Sequence, residues 1–185
     1  MAITVLALDL EATLVDNAFN AEPRTGFEAF LDYCHSHFER VALFTTVEEA
    51  GAREVIESLV RGGHCPSELA DRLEYDDWSG EHKNLRFIPN VSPEEAVLVD
   101  DDACWICRDQ TEQWIPIAPW DGVPDSELTS VKQQLVDRSR EKQLTPVLLH
   151  RRRCCTGSII GQRPLSPSCF LESAVTHAIE PARKR

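Results

Sequence analysis

Acidic and hydroxyl side chains follow three short apolar runs in this sequence. Asp9 and Glu11 follow Ile-Thr-Val-Leu-Ala-Leu at 3–8. Thr45 and Thr46 follow Arg-Val-Ala-Leu-Phe at 40–44. Asp100, Asp101 and Asp102 follow Ala-Val-Leu-Val at 96–99, and Lys83 lies in the polar segment before that third run. Carboxylates brought into one crevice repel unless a hard cation neutralises them. Oxygen ligands favour Mg²⁺ or Ca²⁺, and Mg²⁺ held by a few carboxylates commonly works on a phosphate. A carboxylate can also attack phosphorus and form an aspartyl-phosphate. A metal, a lysine and a hydroxyl or backbone N–H can share the phosphoryl charge. A second acid can protonate the leaving oxygen and later activate water.

Each of these residues has a plainer role open to it. Aspartate at a strand end often serves a turn, and Thr46 with Glu49 reads as a capping box. A lysine in a polar loop is ordinarily solvated. Three adjacent aspartates resist that treatment, because clustered like charges cost stability. The weight of the chemical reading lies in the set and its order along the chain.

The elements that would carry the set alternate in type. The runs at 3–8, 40–44 and 96–99 read as buried parallel strands. A short strand at Leu73-Glu74-Tyr75 and another at 114–117 fit the same sheet. Phe27, Phe30, Leu31, Cys34 and Phe38 recur at helical spacing and predict a helix over 26–37, opened by a capping box of Thr25 and Glu28. Ala52, Val55, Ile56, Leu59 and Val60 mark a second helix, ended by Gly62-Gly63. Ser92-Pro93-Glu94-Glu95 predicts a single helical turn. A last helix spans 125 to about 142, with Leu128, Val131, Leu135 and Val136 on one face. Strands alternating with helices imply right-handed βαβ units. In such sheets ligands bind beyond the carboxyl ends of the strands, where these acids fall.

Asp9-Leu10-Glu11-Ala12-Thr13-Leu14 resembles the first motif of the haloacid dehalogenase (HAD) superfamily, Asp-x-Asp-x-Thr-Leu. Leu43-Phe44-Thr45-Thr46 resembles the second motif, Lys83-Asn84-Leu85 the third, and Val97-Leu98-Val99-Asp100-Asp101 the fourth. The spacing is most similar to the branch of the NLI-interacting-factor and C-terminal-domain small phosphatases. The resemblance implies an α/β fold, a HAD-like Rossmannoid three-layer sandwich around a parallel sheet. It implies a Mg²⁺-dependent phosphomonoesterase, with Asp9 as nucleophile and metal ligand. Glu11 would be the acid/base, its backbone carbonyl reaching the metal. Thr45, the Thr46 N–H and Lys83 would hold the phosphoryl group. Asp100 and Asp101 would complete the metal site, with Asp101 favoured as direct ligand and Asp102 a turn residue.

The sequence departs from the family pattern at Glu11, where the phosphatases carry Asp, and at Ala12, where Gly is commoner at a tight turn. The longer Glu11 side chain leaves a second reading open, a phosphate- or protein-binding module with little turnover. The segments 12–24 and 64–82 are too short for a cap domain. The fold is therefore expected to be capless, its crevice open to a phosphorylated protein or other macromolecule.

Charge divides the chain. Residues 1–137 carry 28 Asp and Glu against 9 Lys and Arg, and residues 138–185 carry 3 against 10. The sequence reads as a HAD-like domain over 1–143 and a basic, poorly ordered tail over 144–185, with at most a short helix near 170–179. The net charge of −12 argues against nucleic-acid binding except through that tail, where Arg151-Arg152-Arg153 could meet an acidic partner. No run is long enough to span a membrane and no signal peptide is evident, so the expected location is cytoplasmic. Seven cysteines at irregular spacing do not suggest a disulfide framework. Cys104-x-x-Cys107 leaves a redox or zinc module as a third reading, weighed against ordinary buried cysteines. The histidines show no ligand spacing, and the four tryptophans read as core or pocket rim.

Overall fold

The structure, a computed structural model, describes residues 2–152. Five strands form one parallel sheet: β1 (Val5–Leu8), β2 (Arg40–Leu43), β3 (Leu73–Tyr75), β4 (Ala96–Asp100) and β5 (Trp114–Pro116), in the order β3-β2-β1-β4-β5. The apolar runs at 3–8, 40–44 and 96–99 supply the three central strands. These are buried on both faces, as near-continuous apolar sequence requires.

Helices α1 (Phe27–His37), α2 (Glu49–Arg61) and the later α4 (Glu127–Arg152) pack on one face of the sheet; α3 (Ser67–Ala70) is a single turn. Phe27, Phe30 and Leu31 of α1, Val55, Ile56 and Leu59 of α2, and Leu128, Val131 and Leu135 of α4 meet Leu6, Leu8, Val41, Leu43, Val97 and Val99 there. The other face is covered by 3₁₀ turns, not long helices. Leu85 and Ile88 in and after the turn Leu85–Phe87, with Ile106, Trp78 and Phe44, cover Val5, Ala7, Ala96 and Leu98. Handedness accounts for this division. The chain moves one way from β1 to β3 and the opposite way from β3 to β5. Right-handed crossovers then place the two sets of connections on opposite faces. Neither 12–24 nor 64–82 contains an inserted domain.

Four helix boundaries differ from the sequence expectation. The N-cap of α1 is Gly26, at φ 84°, and no side chain caps it. Phe27 N bonds Arg24 O in a tight turn that carries Thr25 out of the cap position. Helix α2 opens at Glu49 with Glu48 at the N-cap. The Thr45 hydroxyl accepts the Val47 N–H and leads the chain two residues further before the helix begins, so Thr46 caps nothing. A capping box does form at Ser92 and Glu95, where the sequence predicts only a turn start. Helix α4 runs on to Arg152, past the expected end near 142. The expectations for Cys154, Cys155, Arg153 and a helix at 170–179 lie outside the described residues.

Candidate active site

Leu8 pairs with Val99, and Asp9 N donates to Val99 O at 2.9 Å. Asp9 and Asp100 therefore leave the sheet side by side. Strand order reverses between β1 and β4, so they stand at the topological switch point, where open α/β sheets bind ligands.

Lys83 joins them from a distant segment. Its Nζ lies 2.7 Å from Asp9 Oδ1 and 2.6 Å from Asp100 Oδ2. It is 2% exposed, so the solvated-loop reading does not hold. Backbone contacts carry it inward: Lys83 N donates to Trp105 O, and Lys83 pairs with Ile106 in an isolated bridge. Buried Gln110 fixes the next residues, accepting from Leu85 N and donating to Asn84 Oδ1.

Thr13 is buried beneath the acids. Its Oγ1 lies 3.3 Å from Asp9 Oδ2 and 3.2 Å from Asp101 Oδ1, so its single proton serves either carboxylate. Asp100 Oδ1 accepts the Asp102 N–H. Asp102 in turn accepts from Cys104 N, which makes it the turn residue expected. With Lys83 on one oxygen and Asp102 on the other, Asp100 is committed within the protein; Asp101 is half-buried and less engaged.

One lysine faces three carboxylates. Ligand-capable oxygens of Asp9, Asp100 and Asp101 lie within 4.8 Å of one another. Burial, and then the Asp9 charge, pushes Asp100 up to about 6. The same two causes raise Asp101 above the usual carboxylate range, with the Thr13 hydroxyl opposing them. An all-oxygen set carrying surplus negative charge fits a hard divalent cation.

The remaining predicted residues border this centre. Thr45 is buried past the end of β2, and its carbonyl accepts the Trp78 indole N–H at 2.8 Å. Thr46 is exposed beside it. Glu11 is half-buried, and its Oε1 accepts the Ala18 N–H at 2.7 Å, so the extra methylene carries the carboxylate to the loop at 16–22. Ala12 adopts φ 53°, the left-handed turn for which the family prefers glycine. Cys34 and Cys65 are buried, Cys107 is half-buried and Cys104 exposed, all free. Asp9, Asp100 and Asp101 form the metal-capable group found among the described residues, and it contains no cysteine. Trp120 is buried, and Trp105 is exposed and edge-on to Trp78.

A parallel sheet of this order, with no inserted cap and an acid–lysine cluster at its switch point, is a capless HAD-like α/β domain. The chain belongs to the NLI interacting factor-like phosphatase family, whose model matches residues 4–145. Among solved structures it is similar to a variant of the fission yeast RNA polymerase II CTD phosphatase Fcp1 bound to beryllium fluoride. That match has 16% identity and a TM-score of 0.47, covering 87% of this chain and 58% of that one. A second crystal structure matches at 13% identity and a TM-score of 0.45, covering 83% of this chain and 98% of that one. No curated protein matches the chain. No helix among the described residues is long and apolar enough to cross a membrane.

Proposed function

We propose that the chain is a Mg²⁺-dependent phosphomonoesterase that works through an aspartyl-phosphate on Asp9. The observation that carries this is the convergence of Asp9, Asp100 and Asp101 within reach of one ion, with Lys83 bonded to Asp9. An Asp9 carboxylate oxygen attacks phosphorus, and the ester P–O bond breaks. Glu11 gives its proton to the departing oxygen. Glu11 then takes a proton from water as that water attacks the phosphoryl group, which releases inorganic phosphate and restores Asp9. Thr45, the Thr46 N–H and Lys83 hold the phosphoryl oxygens. Asp9, Asp100, Asp101 and the Glu11 carbonyl would hold Mg²⁺, which when bound offsets the carboxylate charge and draws charge from the phosphoryl oxygens.

The lack of an inserted cap in 12–24 and 64–82 favours a phosphorylated macromolecule, a phosphoprotein first. The neighbour named above acts, by its description, on the RNA polymerase II CTD. The catalytic unit would be 1–143, with 144–185 as a basic extension. The departure at Glu11 supports a second reading, a phosphate-binding module with little turnover, since its carboxylate is engaged by Ala18 N. Hydrolysis of p-nitrophenyl phosphate with and without Mg²⁺ tests the proposal. Wild type should be active only with the metal and Asp9→Asn inactive. An Asp9→Asn protein as active as wild type defeats the mechanism.

A further inference from the structure

Arg24 is 1% exposed and has no place in the chemistry above. Its guanidinium reaches four groups. Nε and Nη2 form a fork on Asp125, at 3.0 and 2.6 Å to Oδ2. Nη1 donates to Thr13 O at 3.1 Å and more weakly to Ala12 O at 3.4 Å. Nη2 also donates to Ala118 O at 2.8 Å. Two of these acceptors belong to the turn that carries the Thr13 hydroxyl beneath Asp9 and Asp101.

Taking a guanidinium out of water is costly, and Asp125, with its side chain 26% exposed, could have been paired at the surface. The buried placement instead sets the fork behind the nucleophile loop. That loop leaves the sheet at Asp9, turns left-handed at Ala12, and returns where Val15 bridges Pro23. Trp120 N holds the Ala12 carbonyl from the β5 side at 2.8 Å. Arg24 closes the loop to which it belongs and ties it to the start of α4, where Asp125 also accepts the Glu127 N–H.

We propose that Arg24 is a positioning residue for the phosphoryl-transfer centre. It fixes the backbone of Ala12 and Thr13, and through the Thr13 hydroxyl it sets Asp9 and Asp101. The inference rests on the reading of Asp9 as nucleophile. A lysine cannot replace this fork, because its donors radiate from one point and cannot span carbonyls and carboxylate together.

The test is a double-mutant cycle of Arg24→Lys and Thr13→Val, read as hydrolysis of p-nitrophenyl phosphate with Mg²⁺ and corrected for the folded fraction by circular dichroism. Mn²⁺ binding by electron paramagnetic resonance is read in parallel. Arg24→Lys should lower kcat by about tenfold to a hundredfold with KM nearly unchanged, as expected for sub-ångström to 1 Å misplacement. In the Thr13→Val background the same change should cost less than about threefold, and Mn²⁺ affinity should show the same non-additivity. A purely structural Arg24 would lower thermal stability but leave kcat per folded molecule near wild type. That result, or losses that multiply across the cycle, overturns the proposal. If Arg24→Lys does not fold, Asp125→Asn takes its place in the cycle. An equal loss in both backgrounds then counts against the proposal, and a loss confined to the Thr13 background counts for it. A wild type that binds Mn²⁺ without hydrolysing defeats the phosphatase reading, while the binding cycle still decides on Arg24. One that does neither overturns both.

Discussion

Lys83 Nζ lies 2.6 Å from Asp100 Oδ2, both side chains out of water, although Lys83 comes from the loop between β3 and β4 and Asp100 is the last residue of β4. The ammonium offsets one of three clustered carboxylates and is shared with Asp9. Lys83→Met fills the same space without the charge. In the metal-free protein it should cost about 3 kcal/mol, the scale for breaking a buried ion pair. Urea unfolding in EDTA measures this. Saturating Mg²⁺ should recover part of the stability but not hydrolysis, since no donor would then replace Lys83 at the phosphoryl group. Equal stability of the two proteins in EDTA would show that Lys83 does not offset the acids.

Asp100 makes the metal-free protein sensitive to pH in a defined direction. Burial, and then the Asp9 charge, pushes its pKa up to about 6, above the ordinary carboxylate value. The native state thus holds that proton more tightly than the unfolded chain does. Its stabilising contribution is complete below the unfolded value and is lost as pH rises through about 6. Relative to Asp100→Asn, the melting temperature of metal-free wild type should fall from about pH 4 to about pH 7. Mg²⁺ should flatten or reverse the trend, because binding ionised carboxylates favours the native state as pH rises. Parallel wild-type and variant curves without metal would show that Asp100 does not titrate in this way.

The central strands and the acids at their ends are legible because both are local: an apolar run and the residues that follow it. β1 and β2 lie within the expected runs, β4 covers its run and extends one residue further to Asp100, and Asp9, Asp100 and Asp101 meet at one place. The burial of Lys83 is not local. Lys83 taken alone reads as a solvated loop lysine, and contacts of its segment with Trp105, Ile106 and Gln110 bury it instead. The capping boxes at Thr25 and Thr46 fail because loop hydrogen bonds, Phe27 N to Arg24 O and Val47 N to Thr45, shift where the helices begin. Thr13 stood within the first motif, yet its bridge to Asp101 spans 88 positions. Arg24 had one signal that was available: it is the only lysine or arginine among the first 39 residues, in an acidic stretch. Its partner Asp125 lies 101 positions away, beyond the reach of any pattern of spacing.

The proposed acid/base role of Glu11 is what separates the turnover reading from the binding reading. Its carboxylate sits on the Ala18 N–H at 2.7 Å, a contact with the loop at 16–22 that its extra methylene helps it to reach. If Glu11 is the acid/base, it must leave that N–H to meet the departing oxygen, and Glu11→Gln keeps the size while removing the proton donor. The expected loss in kcat is roughly 10²–10⁴-fold, steeper for poor leaving groups such as alkyl phosphates than for p-nitrophenyl phosphate, whose anion leaves without a proton. Glu11→Asp separates the remaining cases. In a dedicated enzyme the shorter side chain should lower kcat or leave it near wild type. A large gain would mark a centre handicapped at this position, so that the chain mainly binds phosphate. Steady-state kinetics of the two variants on aryl and alkyl phosphates makes the measurement. A Glu11→Gln protein as fast as wild type on alkyl phosphates would remove Glu11 from proton transfer.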